Sequence, residues 1–156
     1  MKRGKGAAQA ALQWEKVDVE DFALGPAPPA FKGDAGYDMY TSRVVTIPAG
    51  GMAAIPTNVK IALPSGTWGM LVGRSSSFMK RLLLVQTAII DNGFRGELFA
   101  MVKNLNDKPV TIQKKERLFQ LILMPLITPE TVEGITSQVT PRGTKGFGST
   151  GIEEVA

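Results

Sequence analysis

The sequence contains neither cysteine nor histidine among its 156 residues. Disulfides, thiol nucleophiles, zinc centres built on Cys or His, and any Ser-His-Asp relay are therefore excluded. Acid–base chemistry in such a chain falls to Asp, Glu, Lys or Tyr, and a bound metal would be a hard cation held by oxygens, such as magnesium. Long hydrophobic runs are missing too. No stretch approaches the ~20 apolar residues of a membrane helix, and Ala7–Leu12 is too short for the apolar centre of a secretory signal. The expected location is the cytoplasm, or the interior of a host cell if the source is viral. No basic stripe interleaved with aromatics occurs, so no nucleic-acid partner is expected.

What is present describes a folded chain. Hydrophobic residues make up 44% and charged residues 21%, which argues against disorder, and the length suits one domain with a sizeable core. The formal net charge of +4 is compatible with an anionic ligand without demanding one. Short apolar runs alternate with Gly and Pro. Val44–Ile47 stops at Pro48, Val59–Leu63 at Pro64, and Trp68–Val72 at Gly73. Leu98, Ala100 and Val102 share one strand face, Val110 and Ile112 resume the alternation, and Leu118–Leu123 is almost continuously apolar. This punctuation predicts an all-β sandwich or barrel. Only Ser75–Leu84 is long enough and poor enough in breakers for a helical turn or two. The expected division is an N-terminal extension (1–29), a β-barrel (30–140) and a Gly-rich C-terminal arm (141–156).

Three segments carry chemistry. Gly73-Arg-Ser-Ser-Ser77 joins a strand to the short helix, where backbone N–H groups, the Arg74 guanidinium and serine hydroxyls suit an anion; a serine-capped helix with a surface arginine is the plainer alternative. Asp91 follows Ile89-Ile90 and precedes Asn92-Gly93, a strong hairpin signal. Its carboxylate is either a turn aspartate or a base that deprotonates water. The tail places Phe147 between glycines beside Arg, Lys, Ser and Thr, a composition for gripping phosphates under a flat ring, or for a plain linker.

In this order the segments resemble the five motifs of the trimeric dUTPase family: Ala35-Gly-Tyr-Asp-Met39, Gly73-Arg-Ser-Ser76, Ile90-Asp-Asn-Gly-Phe-Arg-Gly-Glu97, Arg117-Leu-Phe-Gln-Leu121, and Arg142-Gly-Thr-Lys-Gly-Phe-Gly-Ser-Thr-Gly151. The resemblance implies a jelly-roll-like distorted β-barrel, three chains sharing three sites, and magnesium-dependent conversion of dUTP to dUMP and pyrophosphate. Such an activity limits uracil incorporation into DNA and supplies dUMP for thymidylate synthesis. It further implies that Asp91 activates the attacking water and that the hairpin at Ala88–Phe99 holds uracil, through Ala88, Ile89, Ile90 and Phe99. Phe94 would pack on the deoxyribose. Arg74, Ser75, Ser76, Gln120, Arg142 and Ser149 would bind the phosphates, with Phe147 and Gly148 over the base. Asp38 would touch the water shell of a magnesium ion held mainly by those phosphates. Four positions depart from the family pattern: Phe94 replaces tyrosine, Ala88 and Arg81 replace glycine, and Phe119 replaces a small residue.

Two other functions compete. A dCTP deaminase would use the same fold but needs a glutamate where this chain has Met101. A regulatory module binding a protein partner would use the scaffold itself, with the basic Lys2, Arg3 and Lys5 or the acidic Glu153-Glu154 as contacts.

Overall fold

The computed structural model describes residues 11–134, 140 and 141. It is all-β apart from one short helix, α1 (Ser75–Arg81). One sheet has the order β2 (Gly36–Met39), β11 (Phe119–Pro125), β6 (Thr67–Gly73), β8 (Ala88–Ile90). Its spine is the antiparallel pair of β11 and β6, in register from Phe119 opposite Gly73 to Pro125 opposite Thr67. A second sheet has the order β4 (Met52–Pro56), β9 (Phe99–Asn104), β7 (Leu83–Val85). Two further pairs complete the barrel: β3 (Val45–Ile47) with β10 (Val110–Ile112), and β1 (Gln13–Lys16) with β5 (Val59–Ala62).

The alternation seen in the sequence becomes the core. On β9, Ala100 and Val102 are fully buried while Phe99, Met101 and Lys103 face outward, the two-residue period of a half-buried strand. Met39, Leu71, Phe119 and Leu121 from the first sheet join Ile55, Leu83, Ala100 and Val102 from the second in one apolar cluster. Each large side chain so buried stabilises the fold by roughly 1.5–3 kcal/mol. The result is a jelly-roll-like distorted β-barrel. No helix among the described residues is long and apolar enough to cross a membrane.

The N-terminal segment that carries β1 is tied down at two further points. The indole of Trp14 lies over Gly25, where an added Cβ would meet the ring at 2.2 Å. Asn58 adopts φ 56°, a left-handed conformation that asparagine tolerates better than most residues. Its Nδ2 donates to the Asp18 carbonyl (2.9 Å), and its Oδ1 accepts the Asp18 N–H (2.7 Å). The Asn58 N–H in turn donates to Oε1 of Glu97 at 2.7 Å.

Two local expectations change. The helical stretch predicted to Leu84 ends at Arg81, because Leu82 turns left-handed (φ 51°) and its N–H closes on the Phe78 carbonyl. Leu83 and Val85 are then free to enter the second sheet, where both are buried. The Ala88–Phe99 segment is not a two-stranded hairpin: β8 pairs with β6 in one sheet and β9 with β4 and β7 in the other. Asn92-Gly93 still turns the chain, with the Phe94 N–H donating to the Asp91 carbonyl at 3.0 Å. Neither residue takes the positive φ that a type I′ hairpin turn requires.

Candidate functional site

A cavity of about 490 Å³ opens where β2 and β11 meet the start of α1. It is lined by Asp34, Asp38, Arg74, Ser75, Arg117 and Gln120, among others. Asp38 and Gln120 are directly opposite in the β2–β11 register and so project from the same face. Gln120 lies over Gly36, where a Cβ would come within 2.1 Å of its Oε1. Glycine is thus required at 36 for the amide to take this position.

Asp38 is the electrostatic centre of the cavity. Its Oδ1 pairs with Arg74 Nε at 3.0 Å and its Oδ2 with Arg117 Nη1 at 3.2 Å. Arg74 is fixed further, its Nη1 donating to the Arg117 carbonyl and its backbone N–H to the Leu118 carbonyl, both at 3.0 Å. It serves as the N-cap of α1, and no side chain among the described residues caps the helix; the serine cap weighed from the sequence is not formed. The Ser77 hydroxyl donates instead to the Leu118 carbonyl at 2.7 Å. Ser76 lines a smaller neighbouring cavity with Arg81 and Glu116. Arg81, at a position where the resemblance leads one to expect glycine, pairs there with Glu116 and fastens the end of α1 to the rest of the barrel.

No group of three or more His, Cys, Asp or Glu side chains that could hold a metal occurs among the described residues. The Asp38 carboxylate, already shared by two guanidiniums, is a poor chelator for a bare divalent ion. It suits a cation that arrives with phosphate and water oxygens of its own.

Asp91 lies elsewhere on the chain. It follows β8, an edge strand whose second edge is unpaired among the described residues. No donor among those residues engages the exposed Asp91 carboxylate, yet the turn beneath it is held firmly. Asn92 Nδ2 donates to the Pro64 and Thr67 carbonyls at 2.9 and 2.8 Å, and Arg95 Nη1 to the Asn92 and Phe94 carbonyls at 2.7 Å. Ile90 is buried and anchors β8, while Ile89 is exposed. The half-exposed Phe94 ring rests against Gly96, where a Cβ would meet its Cζ at 2.6 Å. Phe99 sits half-exposed at the start of β9, in the other sheet. Arg142, Phe147, Gly148 and Ser149 lie outside the described residues.

The two groups of residues are separated by the length of β6. Ile90 is opposite Gly69 near the start of that strand, whereas Arg74 follows its end. At ~3.4 Å per residue this places Asp91 roughly 15–20 Å from the Arg74–Asp38 pair. Sequence reasoning missed Arg117 as a site residue. Its motif was noted, but pairing with Asp38, 79 positions away, is visible only in the fold.

This chain resembles known proteins over nearly its whole length. The dUTPase family model matches residues 26–151. A deoxyuridine 5'-triphosphate nucleotidohydrolase of Paramecium bursaria Chlorella virus 1 is 39% identical over 121 residues, 78% of this chain and 86% of that protein. The Pol polyprotein of an ovine maedi visna related virus is 45% identical over 118 residues, which are 76% of this chain and 11% of the polyprotein. Among solved structures, the Staphylococcus bacteriophage 80alpha dUTPase with dUpNHpp superposes with a TM-score of 0.84 at 29% identity, covering 91% of this chain and 99% of that one. A variant dUTPase from phage phi11 of S. aureus, described with a structural Mg(II) ion, gives 0.73 at 26% identity over 80% and 97%. With the family model spanning all but the first residues and the last few, and the barrel shared with these structures, the chain belongs to the dUTPase family.

Proposed function

We propose that this chain hydrolyses dUTP to dUMP and pyrophosphate, using Asp91 as the base and the Asp38–Arg74–Gln120 cavity for the phosphates. The observation that carries this reading is the exposed Asp91 carboxylate, unengaged among the described residues, at the end of an edge strand. An unpaired edge presents main-chain N–H and C=O groups. Uracil offers a carbonyl, an N–H and a second carbonyl along one side, a pattern such an edge can match. Cytosine reverses part of that pattern and would leave polar groups unpaired, which can reject an analogue by ~10⁴-fold. Phe94, backed by Gly96, gives the deoxyribose a flat apolar surface that disfavours a 2′-hydroxyl.

In the reaction the Asp91 carboxylate takes a proton from a water whose oxygen attacks the α-phosphorus. The bond from that phosphorus to the bridging oxygen breaks, and pyrophosphate leaves with the bonding electrons. Arg74 and Gln120 offset the negative charge that develops. Asp38 would help hold a magnesium ion brought with the phosphates, and that ion would supply further charge neutralisation to the leaving group.

The separation of Asp91 from the arginines supports an assembly in which one chain supplies the base and another the phosphate cavity. A homotrimer, the state implied by the family resemblance, meets this need. The family match reaches residue 151, which is consistent with the arm at 141–156 closing over the bound nucleotide through Arg142, Phe147, Gly148 and Ser149. Such an enzyme acts where deoxynucleoside triphosphates are made and used, the cell interior. The deaminase alternative loses its support at Met101, an exposed thioether on β9 that cannot move protons.

The test is pyrophosphate release from dUTP, dCTP, dTTP and UTP, with magnesium or with EDTA. Release from dUTP alone, abolished by EDTA, is expected; comparable turnover of UTP would remove the role given to Phe94, and no release from dUTP would end the proposal. A second check concerns Gly36→Ala. The added methyl meets the far end of the flexible Gln120 side chain, so the amide is displaced and the fold is kept. A KM for dUTP raised about 10-fold with Tm shifted by no more than a few degrees is expected.

A further inference from the structure

We propose that Glu97 is a positioning residue for the hydrolysis. Its carboxylate, bonded to the Asn58 N–H, fixes where the turn holds Asp91 and Phe94. The inference rests on the dUTP reading above and adds a residue that acts through that turn.

Residues 91–97 carry the chain from the first sheet, at the end of β8, toward the second, at the start of β9. Side chains bond this crossing to the barrel near both ends. At its start Asn92 Nδ2 donates to the Pro64 and Thr67 carbonyls. At its end Glu97 Oε1 accepts the Asn58 N–H at 2.7 Å, just before the buried Leu98 enters the core. The bonds of Arg95 to the Asn92 and Phe94 carbonyls stay within the turn and stiffen it. Asp91 and Phe94, given the water and the sugar, are thus held by an anchor at each end.

Asn58 makes the second anchor a junction. It is buried, and each of its four polar groups is occupied. The N–H goes to Glu97, and the carbonyl accepts the Val17 N–H at 3.1 Å. Oδ1 accepts the Asp18 N–H at 2.7 Å, while Nδ2 donates to the Asp18 carbonyl at 2.9 Å and the Phe22 carbonyl at 3.4 Å. Residues 17–22, which precede the family match at residue 26, are therefore joined through Asn58 to the turn. A buried N–H without an acceptor is costly, which holds the carboxylate in place. The edge assigned to the base is β8, fastened to β6, and the phosphate cavity is elsewhere on the chain. Loosening Glu97 leaves both in place but spoils the aim of Asp91 and the fit of Phe94 to the sugar. A misplacement of about 1 Å can cost ~10²-fold in rate.

The experiment compares the full-length wild type with Glu97→Ala, Glu97→Gln and Asn58→Gly. It measures kcat for dUTP, the ratio of kcat/KM for dUTP over UTP, and the Kd for dUpNHpp by calorimetry. Glu97→Ala is expected to lower kcat about 10- to 100-fold and to shrink the dUTP/UTP ratio, with Kd changed less than about 3-fold. Glu97→Gln keeps an oxygen that accepts the Asn58 N–H and should restore kcat to within about 3-fold of wild type. Asn58→Gly tolerates the left-handed backbone and keeps the N–H, but loses the side-chain bonds to Asp18 and Phe22. It should lower kcat about 3- to 10-fold in the same pattern, and it carries the test if Glu97→Ala does not fold. A role in stability alone would lower Tm and leave kcat and the sugar ratio unchanged. That result, or equal rate losses in Glu97→Ala and Glu97→Gln, would overturn the assignment. Failure of the wild-type protein to hydrolyse dUTP at all is a different result and would overturn the dUTP reading itself.

Discussion

Replacing Asp91 by asparagine is expected to slow pyrophosphate release from saturating dUTP by roughly 10²- to 10⁴-fold, the range attributed to a positioned general base. Asparagine has nearly the same shape and leaves the Asn92 and Arg95 bonds that hold the turn untouched. It cannot accept the proton of the attacking water. Because the phosphate cavity is elsewhere on the chain, affinity for dUpNHpp should stay within a few-fold of wild type. Calorimetry and a pyrophosphate assay on the same preparation check both halves. A variant that hydrolyses dUTP at the wild-type rate would show that another group removes the proton.

Two inactive chains are expected to restore activity when assembled together. Asp91→Asn lacks the base and Arg74→Ala lacks a phosphate ligand, and each alone should be nearly silent. Ile90 is opposite Gly69 and Arg74 lies beyond the end of β6, and the shared-site reading bridges that separation by taking the two groups from different chains. In a statistical mixture, about a quarter of the sites in a closed symmetric assembly would take an intact Asp91 from one chain and an intact Arg74 from another. The mixture should therefore recover about a quarter of wild-type activity after co-refolding, and simple mixing without subunit exchange should recover none. If co-refolded mixtures stay silent, both groups act from one chain and the shared-site reading fails.

The strands were legible wherever burial imposes alternation. Leu98, Ala100 and Val102 announce β9 because a half-buried strand must place every second residue in the core. The pairing of strands was not legible. Asn92-Gly93 promised a hairpin, but its flanks belong to different sheets, because β9 is hydrogen-bonded between β4 and β7 while Asn92 is bound to the Pro64 and Thr67 carbonyls. The end of α1 was hidden as well, since a leucine, and not a glycine, adopts the left-handed cap. Strand β1 gave no signal because Gln13–Lys16 has no buried face, and only Trp14 over Gly25 marks it. At the site, Asp38, Arg74, Gln120 and Asp91 were legible through the family motifs. Arg117 was not, because its significance is a pairing and not a residue type.

Among the described residues, strand β8 touches the barrel along one margin only. A nucleobase recognised there by main-chain atoms would be read by groups that every amino acid except proline possesses. Substitutions at Ala88 or Ile89 would then alter fit and tightness without rewriting which base is accepted. Such a reader tolerates genetic drift at the very positions that contact its ligand, and a change of preference would require moving the backbone itself.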